Sequence, residues 1–385
     1  MELLIKPMAS KSSKMDNKPT NIPNLTPLRG IAALMVAVYH FDAVIANFVN
    51  QNTTLAIEKC YLMVDLFFIM SGFIMFHVYN STFTTAIHKQ DFVTFIRARF
   101  ARIYPLHFFT LLLSVAGFYL LNEPASPINN PYAIITHLLL LHSFGIHDIF
   151  TWNVPSWSIS AEWAAYTLFP LLALMLGKYK KGGVLFLSLV SILLYVSILY
   201  FLERVNPIAP NLSVPHDLNV TYDFGYIRGI AGFIAGMIAY IAFQQKEILN
   251  FFNCDVSAMI IILLTVVFFH WGVNDLWIVL CFVLLVLAIA ANQKGLYKLF
   301  QFKPLQYLGD ISYSIYLTHG LTMFTIAVPL LTKMGYVYKG PGSLKIPFME
   351  GLWICSVYLL VIVIISSMTY YGIEKPCRRW INAKF

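Results

Sequence analysis

Residues 27–41 read PLRGIAALMVAVYHF. Between Arg29 and His40 every residue is apolar or small except the amphipathic Tyr39. The run is apolar enough to enter a lipid bilayer, yet it has a cation at one end and a proton carrier near the other. On an α-helix this separation amounts to about 16 Å of rise and close to three whole turns. Arg29 and His40 therefore share one face, the first at the membrane edge and the second deep inside.

The rest of the chain repeats the apolar character of that stretch. Of 385 residues, 59% are hydrophobic and 11% are charged, with a mean hydropathy of +0.71. Soluble domains carry about 25% charged residues, so this is the composition of a membrane protein. Apolar runs long enough to span recur at 28–48, 62–79, 104–121, 158–176, 183–202, 224–243, 256–271, 276–292, 311–331 and 349–372. Backbone groups in lipid must be paired internally, which predicts an all-α polytopic bundle of about ten spans. The alternating segments of a β-barrel are absent.

One apolar stretch, 132–144, is too short to cross as a helix and is expected to be re-entrant or interfacial. With the N-terminus inside and that stretch not crossing, basic clusters fall on one side: Arg97, Arg99 and Arg102; Lys178, Lys180 and Lys181; Lys246; the segment 294–303; and Lys375, Arg378 and Arg379. This is the positive-inside pattern, and it accounts for the net charge of +8 without a nucleic-acid partner. Residues 1–25 are polar and lack a signal-peptide arrangement, so they read as a cytoplasmic tail. A membrane domain over 26–376 and a short cytoplasmic tail over 377–385 complete the expected organisation. The five cysteines are scattered, and no metal or disulfide spacing is visible.

Ionisable residues at membrane depth tend to face the bundle interior or a water-filled cavity. His40 has the chemistry of a general base that activates a hydroxyl. The alternative is a polar residue hydrogen-bonded between helices. Asp42 lies two residues on, so it points to another face. Asp65 and Glu162, from the outer ends of other spans, are within reach of the same cavity, or serve as charges favoured at helix starts.

The stretch FIRARFARIYP, 95–105, sets three arginines just before a span. Guanidinium groups bind phosphate oxygens bidentately, so this is a candidate phosphate clamp to which Arg29 adds. Membrane anchoring is the competing account. In WSISAEW, 157–163, Ser158 is placed to cap a helix and Glu162 shares its face. His137, His142 and His147 recur every five residues, which does not put them on one helix face, so no metal is expected.

These stretches, in this order, resemble acyltransferase family 3 of integral membrane proteins, which includes bacterial O-acetyltransferases of surface polysaccharide. LRGIAALMVAVYH looks like its first helix, VDLFFIMSGFIM (64–75) its second and RARFARIYPL its arginine loop. WSISAEWAAYTLFP is similar to its Trp-Ser…Glu segment, and LGDISYSIYLTH (308–319) with IEKP (373–376) to its closing helices. The chain departs from the usual pattern at Thr26-Pro27, Met63 and Ala98.

The resemblance implies a bacterial inner-membrane O-acyltransferase with both termini cytoplasmic. It would move an acyl group, acetyl by expectation, from acetyl-CoA or another acyl-CoA to a hydroxyl of a surface glycan, lipopolysaccharide or lipid-linked sugar. It implies His40 as catalytic, with Glu162 and Asp65 beside it. Arg29, Arg97, Arg99, Arg102 and Tyr104 are expected on the acyl-CoA side, and Ser71, Trp157, Ser158, Tyr313 and His319 in support. The other partner is membrane lipid. The rival reading is a transporter whose path is lined by His and Arg; only the acyltransferase consumes acyl-CoA.

Overall fold

A computed structural model describes residues 22–120, 127–202, 217–340 and 343–384. Most of the expected N-terminal tail lies outside these residues. The opening stretch forms α1 (Leu25–Tyr39), with Pro27 in its first turn, where a missing N–H costs nothing. The Asn24 side chain donates to the carbonyls of Ile289 and Asn292 at 3.0 and 2.9 Å, fixing where the helix enters. At His40 the helix widens into a π-helical turn (His40–Ala46), a form common at functional sites. Asp42 ends it: its Oδ1 accepts from the backbone N–H groups of Phe48 and Val49 at 2.7 and 3.2 Å.

The helices that follow are α2 (Met63–Phe83), α3 (Lys89–Leu120), the six-residue α4 (Ala133–Leu138) and α5 (Trp157–Phe201). Then come α6 (Gly225–Phe243), α7 (Lys246–Phe252), α8 (Asp255–Trp271) and α9 (Asp275–Ala291). Two short helices, α10 (Gly295–Phe300) and α11 (Lys303–Asp310), lead to α12 (Ser312–Thr322) and α13 (Val328–Lys333). The chain closes with α14 (Phe348–Thr369) and α15 (Lys375–Lys384).

Among the described residues, seven helical segments are long and apolar enough to cross a membrane, or eight if the bent pair α7–α8 is one span. The expected all-α polytopic bundle is therefore present. One of the seven contains α5, whose backbone breaks at Lys180 (φ 43°, ψ −117°), between the runs read as separate spans at 158–176 and 183–202. The stretch 132–144 yields only α4 and turns, as its length predicts. The expected C-terminal tail is helical through Lys384, with Pro376 tolerated in the first turn of α15.

Close backbone crossings and buried ion pairs lock the bundle. A Cβ on Gly72 of α2 would meet the Phe233 carbonyl oxygen of α6 at 1.9 Å, and one on Gly236 would meet Ile69 as closely. Small residues thus let α2 and α6 touch. On the same pair of helices, Arg228 Nη2 donates to Asp65 Oδ2 at 2.6 Å, with both side chains fully buried. Lys59 Nζ donates to Asp275 Oδ1 at 2.6 Å, tying the turn Glu58–Leu62 to α9.

Candidate active site

A cavity of about 150 Å³ lies among α1, α2, α3, α5 and α12. Its lining brings together Arg29, Ser71, Arg99, Arg102, Ser158, Glu162 and Tyr313, seven of the residues singled out in the sequence. The seven come from five different helices, so the grouping is a product of the fold.

The three lining arginines are in different electrostatic states. Arg102 forms an ion pair with Glu374, a buried carboxylate that also accepts from Ser314 Oγ at 2.8 Å. Its guanidinium lies 5.3 Å from the centre of the Tyr313 ring. Arg99 meets no carboxylate: its terminal nitrogens reach Met75 Sδ and the Tyr79 hydroxyl at 3.4 Å, and it lies over the Tyr79 and Tyr166 rings. Arg29 makes no ion pair among the described residues. Two lining atoms, Arg99 Nε and Ser312 Oγ, are buried and have no hydrogen-bond partner among the described residues. Buried donors left in that state are costly, so an acceptor from a ligand or an ordered water is favoured there.

Glu162 projects from α5 into the same cavity. Its Oε1 accepts from Ser71 Oγ at 2.9 Å and from the Tyr166 hydroxyl, one turn further along the helix. Its partners are therefore in the cavity wall, and it makes no hydrogen bond to His40.

His40 stands beside the cavity. Its Nδ1 lies 2.9 Å from the Val36 carbonyl oxygen and 3.3 Å from His319 Nε2 on α12. The two ring centres are 4.8 Å apart. Tyr316 joins this pair to the cavity, because its ring lines the cavity and lies 5.8 Å from that of His319. Among the described residues, His40 Nε2 makes no hydrogen bond.

Four expected site residues lie elsewhere. Asp65 is outside the lining and holds Arg228 through both carboxylate oxygens, while Tyr195 donates to it at 3.3 Å. Trp157 stacks against the same arginine, its ring centre 5.4 Å from the guanidinium carbon. The Tyr104 hydroxyl donates to the Leu138 carbonyl at 3.2 Å and ties α3 to α4. Arg97 is not in the lining, and its Nε is buried without a hydrogen-bond partner among the described residues.

Sequence reasoning passed over Glu374, Tyr166, Tyr316 and Ser312. Tyr166 was detectable at four residues from Glu162, on the same helix face. Glu374, Tyr316 and Ser312 sit within or beside the closing-helix motifs, but spacing carries no sign of their partners.

The five-residue histidine spacing also has a different outcome. Because α4 ends at Leu138 and Leu140 takes a positive φ of 56°, His137 and His142 stack with ring centres 3.9 Å apart. His107 of α3 lies parallel, 5.5 Å from His142. Burial and the neighbouring imidazoles push His142 down to about 3 and His137 well below its ordinary value. His147 stands apart, 2.7 Å from Thr136 Oγ1. No group of three His, Cys, Asp or Glu among the described residues is placed to hold a metal ion.

Comparison with known proteins places this arrangement in context. The profile of a family described as an acyltransferase domain matches residues 22–371. The chain is similar to the O-acetyltransferase OatA of Staphylococcus aureus, 24% identical over 387 residues that cover 94% of this chain and 58% of that protein. It is similar to the acyltransferase MdmB of Streptomyces mycarofaciens, 34% identical over 167 residues, or 41% of this chain and 40% of that one. It is also similar to protein 2 in the picA locus of Rhizobium radiobacter, 31% identical over 154 residues, 36% of this chain and 75% of the other. The chain thus spans about half the length of the first two relatives.

Proposed function

This chain belongs to the acyltransferase-domain family, and from that membership we propose that it is a multi-pass membrane acyltransferase that moves an acyl group, acetyl in the first instance, from acyl-CoA to a sugar hydroxyl of a surface glycan or lipid-linked sugar. The observation that carries the reading is the cavity whose lining holds Arg29 and Arg99, which among the described residues have no carboxylate partner, next to a histidine whose Nε2 makes no hydrogen bond there. Arg102 and Glu374 neutralise one another, and Glu162 offsets one of the remaining cations. One positive charge is left, which favours an anionic donor. A cavity of about 150 Å³ suits the thioester end of the donor, with the nucleotide outside it.

In the proposed reaction the acceptor O–H gives its proton to His40 Nε2. The oxygen attacks the thioester carbonyl, and the tetrahedral intermediate places negative charge on the former carbonyl oxygen. Collapse breaks the C–S bond, and His40 returns the proton to sulfur, releasing the acyl ester and free CoA. General-base assistance of this kind is worth about 10²–10⁴ in rate. The oxyanion needs preorganised donors, and Ser312 and Arg99 have lining hydrogens not committed elsewhere. Asp65 acts through the fold, as the buried partner of Arg228.

Residues 97–102 and the lysines at 178–181 support a cytoplasmic donor side and cytoplasmic termini. An outward acceptor side and a bacterial inner membrane are part of the same reading. The test is to supply the purified protein in lipid with acetyl-, succinyl- and longer acyl-CoA, together with glycan extracts. The expected result is CoA release that depends on the extract, with the acyl group recovered as a sugar ester. Folded protein that releases no CoA with any donor would remove the reading.

A further inference from the structure

We propose that His319 is the positioning residue for His40: as a neutral imidazole it shares the His40 Nδ1–H with the Val36 carbonyl and so holds the ring with Nε2 presented as the proton acceptor. This rests on the reaction proposed above and assigns its base a partner.

The assignment follows from which atoms can donate. A carbonyl oxygen only accepts. His40 Nδ1 lies 2.9 Å from the Val36 carbonyl, so Nδ1 carries the ring proton. His319 Nδ1 lies 2.6 Å from the Tyr316 carbonyl, so it too carries its proton on Nδ1. A neutral imidazole has one N–H. His319 Nε2 therefore presents a lone pair, and it lies 3.3 Å from the His40 Nδ1 whose hydrogen it can share. The same logic leaves the lone pair of His40 on Nε2. Two backbone carbonyls thus fix both tautomers.

The surroundings hold His319 in place more firmly than His40. His319 is fully buried, whereas His40 is half-buried. The Tyr358 hydroxyl on α14 donates to the His319 carbonyl at 3.0 Å. The next residue, Gly320, packs so closely that a Cβ there would meet Pro155 at 3.2 Å. In a serine-protease triad the group behind the base histidine is a carboxylate. Here the side chain that shares the His40 Nδ1–H with the Val36 carbonyl is a second, neutral imidazole. It orients the base and adds no negative charge to the membrane interior. When His40 takes the acceptor's proton on Nε2, the Nδ1–H becomes a stronger donor and its bond to His319 strengthens. No proton need move to His319.

Two readouts test this. Protein labelled with ¹⁵N-histidine should show a through-hydrogen-bond coupling between His40 Nδ1 and His319 Nε2, with the proton on the His40 side. That measurement needs no activity, so it stands even if wild-type protein transfers no acyl group, an outcome that would count only against the reaction. In the transfer assay His319→Gln keeps an acceptor where Nε2 was, and His319→Leu keeps bulk alone. The expected order is wild type, then Gln, then Leu, with kcat for Leu down about a hundredfold and donor KM moving by less than about twofold. Absence of the coupling, a proton on His319 Nε2, or Leu protein with near wild-type kcat would overturn the proposal. If kcat instead follows melting temperature for Gln and Leu alike, His319 is a packing residue and the proposal is equally refuted.

Discussion

The guanidinium of Arg102 closes on the carboxylate of Glu374, joining α3 to the turn before α15 across most of the chain's length. The pair divides the arginine loop into two kinds of residue. Arg102 is neutralised inside the protein, while Arg99 faces the cavity with a buried N–H and no carboxylate partner among the described residues.

Breaking that pair should therefore register in stability. Glu374→Ala leaves Arg102 without its carboxylate and Ser314 without its acceptor. Removing one partner of a buried pair costs about 3–5 kcal/mol, and Arg102 keeps some exposure, so the lower end is expected. Thermal unfolding in detergent checks this, and a melting temperature unchanged from wild type would show the pair to be dispensable.

Arg29→Ala and Arg99→Ala should leave melting unaltered and weaken acyl-CoA binding, each by about tenfold, the scale of a lost charge-assisted contact. Ser312→Ala removes an orphan hydroxyl, so the fold should be unharmed or slightly stabilised. Its kcat should fall if that hydroxyl meets the oxyanion. Calorimetric titration with acyl-CoA beside single-turnover rates separates the two effects.

Asp65→Asn and Arg228→Ala should behave as structural lesions. Both groups are fully buried, and each leaves an uncompensated charge when the other is removed. Folded protein from either variant should keep donor affinity, and its activity should scale with the folded fraction. A fully folded Asp65→Asn protein without activity would return Asp65 to the chemistry.

The histidine stack gives a pH dependence. The His142 pKa is depressed to about 3 by burial, so the folded state favours its neutral form. Such a group contributes stability that is present above its unfolded value of about 6.5 and is lost as pH falls towards 3. Unfolding free energy should decline below about pH 6.5, and His142→Gln should flatten that slope. Denaturant titrations between pH 7 and 4 on both proteins measure it.

How far the sequence could be read depends on the range of each interaction. The long apolar helices, the short helix α4 and the shared motifs are local, and hydropathy with helical spacing reports them. Arg29, Ser71, Arg99, Ser158, Glu162 and Tyr313 do converge on one cavity. Pairings between distant helices leave no local trace. His40 finds its partner on α12, Asp65 on α6, and Arg102 near α15. The contact between His137 and His142 is hidden for a different reason: helix geometry does not apply past Leu138, where α4 stops before His142 is reached.

The most direct test of the account is a single-turnover experiment with radiolabelled acetyl-CoA and a glycan extract, comparing wild type with His40→Gln in the same lipid. The account predicts that both proteins bind the donor with similar affinity and that wild type transfers label. The variant should transfer it at least about a hundredfold more slowly. Equal transfer by the two proteins would contradict the claim that His40 is the base.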